Sequence, residues 1–499
     1  MPPTFSALTV LCLIVGTMAQ SCPFPPIQDP FHTTPVLSDA FLQKIVDTVN
    51  AVANAKAIGF AGGFTVTFVY NGATAYTGGF GYADLPNGSP PDPATSIFRI
   101  GSLSKVFTTA HALLARDANL LNFDMPLSYY LGSFGNLDQT KLRSILGHMS
   151  GLPREAPCLE NDCDIPTNEI LQLLRNMSRV FYPYTRPAYS NLAFALLGHA
   201  VAQAVTDDPD GYELSIQEMV FDALNMSSSG FFYTEEVFLR LANGTANANS
   251  TFDHLGWANP CGGAYSTIAD LASFLQVLTR DPNTQSFMEA DTLHEWLNTP
   301  AFVFPSADGG YGYGFELEYD TPAEAWRVGK SGGISFWSGQ ILILSEYRVG
   351  IAVLASDASL SASDIADAVG DAIFPALTQE YRRILARPSI PPIQPELYVG
   401  VYSGYSIETG GTVSLAISKN SSTGSLLGTV SFLENVFPIQ LSWIGKETFT
   451  MNFPDTLPLP CLKLTEISWS NELLTFFLDD SAPYLFFQNM LVECKFYKQ

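Results

Sequence analysis

Positive charge is scarce in this chain. Its 499 residues hold 24 Lys and Arg against 48 Asp and Glu, a formal net charge of −24. Such a field repels phosphate backbones and anionic lipid surfaces, which excludes nucleic acid and a membrane surface as partners. Histidine is scarce too. The six, His32, His111, His148, His199, His254 and His294, never fall at the close spacing of a metal-ligand pair, so no metal site is expected. No glycine-rich phosphate cradle follows a strand and opens a helix, and no cofactor is expected. Charged residues of either sign make only 14% of the chain against 47% hydrophobic. That balance excludes a disordered or fibrous polypeptide and provides for a large core.

Long apolar runs are missing except near the start. Residues 5–18 form a run of 14, short of the roughly 20 that a membrane-spanning helix needs. Small residues at Thr17 and Ala19 mark a cleavage site, although no Lys or Arg precedes the run. Residues 1–19 therefore read as a secretory signal rather than an anchor, and the protein is expected to be secreted. Removing Cys12 with the signal leaves an even six cysteines. Spacing suggests Cys158 with Cys163 inside one loop and Cys461 with Cys494 inside the C-terminal region; Cys22 and Cys261 then pair by elimination. Sequons begin at Asn87, Asn176, Asn225, Asn243, Asn249 and Asn420, a glycoprotein signature that fits the secretory route.

The length exceeds what one core usually supports, so two domains are expected. Residues 63–83 alternate apolar and polar around Tyr70-Asn71-Gly72, which predicts an antiparallel hairpin. Apolar residues at three-to-four spacing predict helices over 105–121, 142–149, 168–177, 191–205 and 266–278. Strands return at 334–344 and 350–355, succeeded by an alanine-rich helix over 363–374. This order predicts an α/β (α+β) domain over 20–386: an antiparallel sheet begun early, completed late and flanked by helices, with a helical region inserted between. Residues 387–396, rich in proline, read as a stiff linker. Beyond it, short alternating runs at 412–418, 426–432 and 448–453 predict a smaller antiparallel β-domain over 397–499.

The strongest local signal is Ile100-Gly101-Ser102-Leu103-Ser104-Lys105 at the head of an apolar helix. Residues three apart share a helix face, so the Lys105 amine can reach the Ser102 hydroxyl. A serine needs an adjacent base before it attacks, and lysine serves only where burial or nearby positive charge depresses its pKa. Alone, the spacing is common. Two further elements lie downstream: Tyr189-Ser190-Asn191 at the start of the helix 191–205, and Lys330-Ser331-Gly332-Gly333 ahead of the strand 334–344.

In order and separation the three elements resemble those of the serine β-lactamase-related superfamily: class C β-lactamases, penicillin-binding proteins, and related esterases and D-aminopeptidases. Residues 142–153, LRSILGHMSGLP, are similar to the loop these proteins carry between their first and second elements. The resemblance covers about 40–377. It implies a β-lactamase/transpeptidase-like fold with Ser102 as nucleophile, Lys105 as its proton acceptor or orienter, and Tyr189 as a phenolate-like general base. Asn191 would donate to the substrate amide and to Lys105. Lys330 would keep Tyr189 anionic and, with Ser331, hold a substrate carboxylate. The N–H groups of Ser102 and Gly333 would form the oxyanion hole, glycine at 332 and 333 letting a substrate lie close. Residues 397–403 resemble the opening strand of the lipocalin-like, β-barrel-like domains found in relatives.

Departures and rivals bear on these expectations. Ser331 replaces the commoner threonine, and many esterases of the superfamily carry histidine where Lys330 stands. Gly329-Lys330-Ser331-Gly332-Gly333 also matches the G-x-S-x-G elbow of α/β-hydrolases, but an elbow passes from strand to helix, whereas residues 334–344 are of β type with no helical period. His148 is expected to fix loop backbone by a hydrogen bond. The expected function is hydrolysis of a small amide, ester or short peptide through a Ser102 acyl-enzyme. An acyltransferase using the same site and a catalytically silent binding protein are the alternatives. Nothing in the sequence sets the oligomeric state.

Overall fold

The computed structural model describes residues 36–498 apart from 61, 83–88, 159–162, 243–253, 282, 283, 285, 305–308, 321, 324, 358, 360, 386–393, 407–410, 423, 433–434, 446–447, 453–471, 478–483 and 488–494. The chain divides into two units, one over Val36–Glu380 and one that takes Tyr381–Gln499.

In the first unit, strands β1 (Gly63–Tyr70) and β2 (Ala73–Gly81) form the expected hairpin. Asn71 and Gly72 supply it with two left-handed residues in a row, at φ 49° and 75°, the geometry whose twist matches the flanking strands. A two-stranded ribbon joins β3 (Phe98–Arg99) to β4 (Tyr265–Ser266). The remaining strands are β5 (Phe302–Val303), β6 (Gly309–Tyr311), β7 (Glu316–Asp320), β8 (Ala325–Ile334), β9 (Trp337–Leu344) and β10 (Val349–Ser356). They extend the hairpin into one antiparallel sheet of order β2-β1-β10-β9-β8-β7-β6-β5. Both β1 and β10 are buried at every position, as strands must be when packed on both faces.

The helices that matter to the site are α1 (Asp39–Ala57), α2 (Ser104–Asp117), α3 (Leu142–Leu146), α4 (Thr167–Leu174), α5 (Asn191–Thr206), α6 (Ile268–Thr279) and α7 (Ala362–Leu385). Apolar on nearly every side, α5 is buried from Leu192 to Ala202, and α2 is buried from Ser104 to Leu113. Each large side chain fully buried here, Phe107 and Phe194 among them, contributes about 1.5–3 kcal/mol. The two helices whose first turns carry Ser102-to-Lys105 and Asn191 are thus fixed in the core, and their N-termini are firm mounts. No described helix is long and apolar enough to cross a membrane.

Element ends differ from expectation for local reasons. Helix α2 stops at Asp117 rather than 121 because Asn119 turns left-handed, at φ 59°. Helix α3 stops at Leu146 because His148 does the same at φ 56°. The strand expected over 334–344 is interrupted: Ser335, at φ 55°, turns the chain between β8 and β9. Helix α7 runs through Pro375; the carbonyl that proline leaves without its N–H belongs to Asp371, whose surroundings are open to water.

In the second unit, β11 (Gly400–Ser406), β12 (Gly411–Lys419), β13 (Leu426–Phe432), β14 (Asn435–Gly445), β15 (Thr448–Asn452), β16 (Glu472–Phe477), β17 (Tyr484–Phe487) and β18 (Lys495–Lys498) close into an antiparallel barrel, β11 pairing with β18. Its core includes Tyr402, Val413, Leu415, Val430, Phe449 and Phe476.

Candidate active site

Chain direction changes sharply at Gly101, whose φ of +51° favours glycine. A side chain there would also strike the backbone of Gly333 on β8. The 3-10 turn Gly101–Leu103 then feeds α2, with the Ser104 hydroxyl donating to Gly101 O at 2.7 Å and accepting from Ala264 N–H at 3.1 Å. Ser102 is left at the cleft. Its Oγ accepts a hydrogen bond from Lys105 Nζ at 3.0 Å and another from the Tyr189 hydroxyl at 2.7 Å.

Lys105 is fully buried. Besides Ser102, its Nζ donates to Asn191 Oδ1 at 2.7 Å and to the Cys261 carbonyl at 2.6 Å, so an ammonium has all three hydrogens placed and Asn191 accepts from Lys105 rather than donating to it as expected. Burial draws its pKa down to about 8, against the raising influence of the Cys261 thiol, Glu155 and Glu316. Once neutral, the amine keeps two hydrogens and one lone pair. Two of its neighbours are carbonyl oxygens that can only accept, so the lone pair falls to Ser102. Loss of one proton therefore turns Lys105 from a donor to the serine into its acceptor.

Tyr189, Ser190 and Asn191 are held by the loop after α3. Ser190 caps α5, its Oγ accepting from Ala193 N–H at 2.9 Å and donating to Pro153 O at 2.5 Å. The Ala188 N–H bonds His148 O at 2.8 Å, the Ser190 N–H bonds His148 Nδ1 at 3.3 Å, and the Asn191 N–H bonds Arg154 O at 2.6 Å. Asn191 Nδ2 donates to Glu155 Oε2 at 2.7 Å, which fixes Oδ1 toward Lys105. Burial pushes the Tyr189 phenol above its ordinary pKa, and the Lys330 charge and the Ser102 hydrogen bond only partly oppose it. Tyr189 therefore rests as a phenol that donates to Ser102, whereas the resemblance implied that Lys330 holds it anionic.

Gly332 packs β8 against the nucleophile turn: a Cβ there would overlap Ile100 O and Leu103 N, whereas Gly333 has open space. The contact sets the Gly333 amide beside Gly101. Lys330 Nζ lies 5.2 Å from the Tyr189 ring centroid and donates to Glu316 Oε1 at 2.6 Å and Ser331 O at 2.8 Å. The Ser331 N–H and hydroxyl both donate to Glu316 Oε2, at 3.2 and 3.1 Å. Pairing of β7 with β8 begins at Glu316 opposite Gly329, which puts that carboxylate next to the third element.

All eight expected residues, Ser102, Lys105, Tyr189, Asn191, Lys330, Ser331, Gly332 and Gly333, thus meet in one place. Glu316, Glu155, Arg154 and the Cys261 carbonyl were not foreseen; Glu316 shares its strand with Glu318 and Asp320, so nothing in the sequence set it apart. The segment 329–333 passes from strand to strand, so Ser331 is not on a strand-to-helix elbow. Cys158 and Cys163 form the expected disulfide. The Cys22–Cys261 pairing is corrected: Cys261 is a free, buried thiol behind Lys105, where its helical turn is packed into the core, and Cys22 lies outside the described residues. Cys461, Cys494, Asn87, Asn243 and Asn249 also lie outside them. Asn176 and Asn225 are exposed and Asn420 is half-buried.

The beta-lactamase family model matches residues 50–374. Beta-lactamase-like protein 2 of Dictyostelium discoideum is 30% identical over 363 residues, 68% of this chain and 64% of that protein, so the chain spans just under two thirds of that relative's length. Among solved structures, a beta-lactamase/D-alanine carboxypeptidase from Yersinia pestis complexed with citrate is similar over 68% of this chain and 99% of its own, with a TM-score of 0.57 and 21% identity. The octameric penicillin-binding protein homologue from Pyrococcus abyssi is similar over 92% of this chain and 99% of its own, with a TM-score of 0.53 and 19% identity. At those identities the likeness is one of fold.

Proposed function

Because the chain belongs to the beta-lactamase family, we propose that it is a secreted serine hydrolase that cleaves a small amide or ester through an acyl-enzyme on Ser102. The observation that carries this reading is the pair of proton-bearing groups on one oxygen, Lys105 Nζ at 3.0 Å and the Tyr189 hydroxyl at 2.7 Å. In acylation, neutral Lys105 takes the Ser102 proton as Oγ attacks the carbonyl carbon, and the backbone N–H groups of Ser102 and Gly333 receive the developing oxyanion. Tyr189 gives its proton to the departing nitrogen or oxygen, leaving a phenolate between the positive charges of Lys105 and Lys330. In deacylation that phenolate takes a proton from water as the hydroxide attacks the acyl carbon. Ser102 Oγ then leaves with the proton held on Lys105, and every group returns to its starting state.

The Cys158–Cys163 disulfide supports an oxidising compartment and so the secretory part of the reading. The test is turnover by purified protein of an ester, D-amino-acid amide and β-lactam panel, with Ser102→Ala alongside. Activity on at least one class that disappears in the variant is expected. Activity surviving in Ser102→Ala, or none in the wild type across the panel, overturns the reading.

A further inference from the structure

Lys330 and Ser331, which the resemblance makes the donors for a substrate carboxylate, are already held by a carboxylate of the chain itself. Three hydrogens, one from Lys330 Nζ, one from the Ser331 N–H and one from its hydroxyl, converge on the two oxygens of Glu316 at 2.6, 3.2 and 3.1 Å. Exposure is one-sided: the Lys330 side chain is 2% exposed and that of Glu316 38%. What the cleft presents at this point is the acid. A second carboxylate arriving here would meet a like charge, two Lys330 hydrogens already engaged by Glu316 and Ser331 O, and both Ser331 donors held by Glu316, so it could take the Ser331 donors only by displacing that side chain.

The neighbouring space offers an anion no substitute. A cavity of about 470 Å³ opens beside Glu316 and Ser331, lined also by Tyr311, Glu318, Gln340 and Asp367. Arg327 is the one cation among its described lining residues, and Asp320, Asp367 and Asp371 all pair with it.

We propose that Glu316 is a built-in occupant of the carboxylate position and sets the specificity of the site. The protein then acts on acyl compounds with no carboxylate beside the scissile bond, and disfavours penicillin-like acids and peptides ending in a free carboxylate at that position. This inference rests on the serine-hydrolase reading and narrows it. Charge is the property the comparison isolates best, since a carboxylate and its carboxamide share nearly the same outline, although the amide NH2 donates where a carboxylate oxygen only accepts.

The experiment compares kcat/KM for matched ester substrates that differ only in bearing a carboxylate or a carboxamide next to the leaving group. Wild type is expected to favour the neutral member by about tenfold or more. Glu316→Gln, which removes the charge and keeps the outline, is expected to shift the ratio of kcat/KM between the anionic and the neutral member about tenfold toward the anion, chiefly through KM. Equal wild-type rates on the two members, a wild-type preference for the anion, or a parallel loss on both in Glu316→Gln overturns the inference. A thermal melt of the variant accompanies the kinetics, and the wild-type pair decides alone if Glu316→Gln does not fold. Both activities are repeated in Ser102→Ala: rates that survive there reject the hydrolase reading itself, whereas rates that vanish there with no charge preference in wild type reject only the role of Glu316.

Discussion

The imidazole of His148 stacks on the phenol ring of Tyr189, with ring centroids 4.4 Å apart and planes inclined at 28°, and takes the Ser190 N–H on its Nδ1 at 3.3 Å. One side chain thereby sets both the ring of the proposed acid and the backbone that carries it. Burial, with the charges of Lys105, Lys330 and Arg154 nearby, holds the imidazole well below its ordinary pKa, so Nδ1 remains an acceptor.

His148 is a positioning residue, and its removal should be felt in kcat. Asparagine tolerates the left-handed backbone that His148 adopts but supplies no ring. His148→Asn is expected to lower kcat about ten- to a hundredfold, the consequence of about 1–3 kcal/mol from a buried N–H left poorly satisfied, with little change in KM. A variant with unchanged kcat would show that Tyr189 needs no such support.

A second expectation concerns pH. The acylation step needs neutral Lys105, whose folded pKa is about 8. Below that value the reactive fraction falls tenfold per pH unit, so kcat/KM should climb up to about pH 8 and level off above it. Lys105→Arg stays protonated at every working pH and should lose about a hundredfold or more. The pH-rate profile of kcat/KM checks the first point and a single assay the second; a profile flat from pH 6 to 9 contradicts both.

The two glycines of the third element should respond oppositely to alanine. Gly332→Ala forces a methyl onto Ile100 O and Leu103 N, both backbone atoms, and should cost about 1–3 kcal/mol of stability or more, with loss of activity as the nucleophile turn shifts. At Gly333 the nearest atom to an added Cβ is Trp337 O at 3.9 Å, so Gly333→Ala should melt within a few degrees of wild type. Thermal melts of the two variants make the comparison.

Acid should weaken the fold through its buried histidines. Burial lowers His111 to about 3 and His148 well below its usual value. Below the ordinary pKa near 6.5 the unfolded chain takes up protons at these two positions while the folded chain does not. Stability therefore falls with falling pH, by about 1.4 kcal/mol per pH unit for each such histidine. Denaturation midpoints measured from pH 7 to 4 should drop accordingly, and His111→Gln should flatten the slope.

What was legible in the sequence is what depends on neighbours along the chain. A serine and a lysine three apart on a helix, or a capping serine between a tyrosine and an asparagine, are local patterns, but each is common alone, and Ser102, Lys105, Tyr189 and Asn191 could be singled out only because their order and separation resemble the superfamily's elements. Glu316 could not, because its contact with Lys330 and Ser331 comes from the register Glu316↔Gly329 between two strands, and strand register is not encoded locally. The β8–β9 turn was missed because Ser335 and Phe336 carry no turn signature, although Ser335 is left-handed. Cysteine parity misled at Cys261, since counting thiols takes no account of one sealed in a core.

The central claim is that Ser102 is the nucleophile and that Lys105 and Tyr189 activate it. Its most direct test is peptide mapping after reaction with a fluorophosphonate. The account predicts one adduct, on the peptide containing Ser102, absent in Ser102→Ala and formed more slowly below pH 8 and in Lys105→Arg. An adduct on another residue, or one that persists in Ser102→Ala, would contradict it.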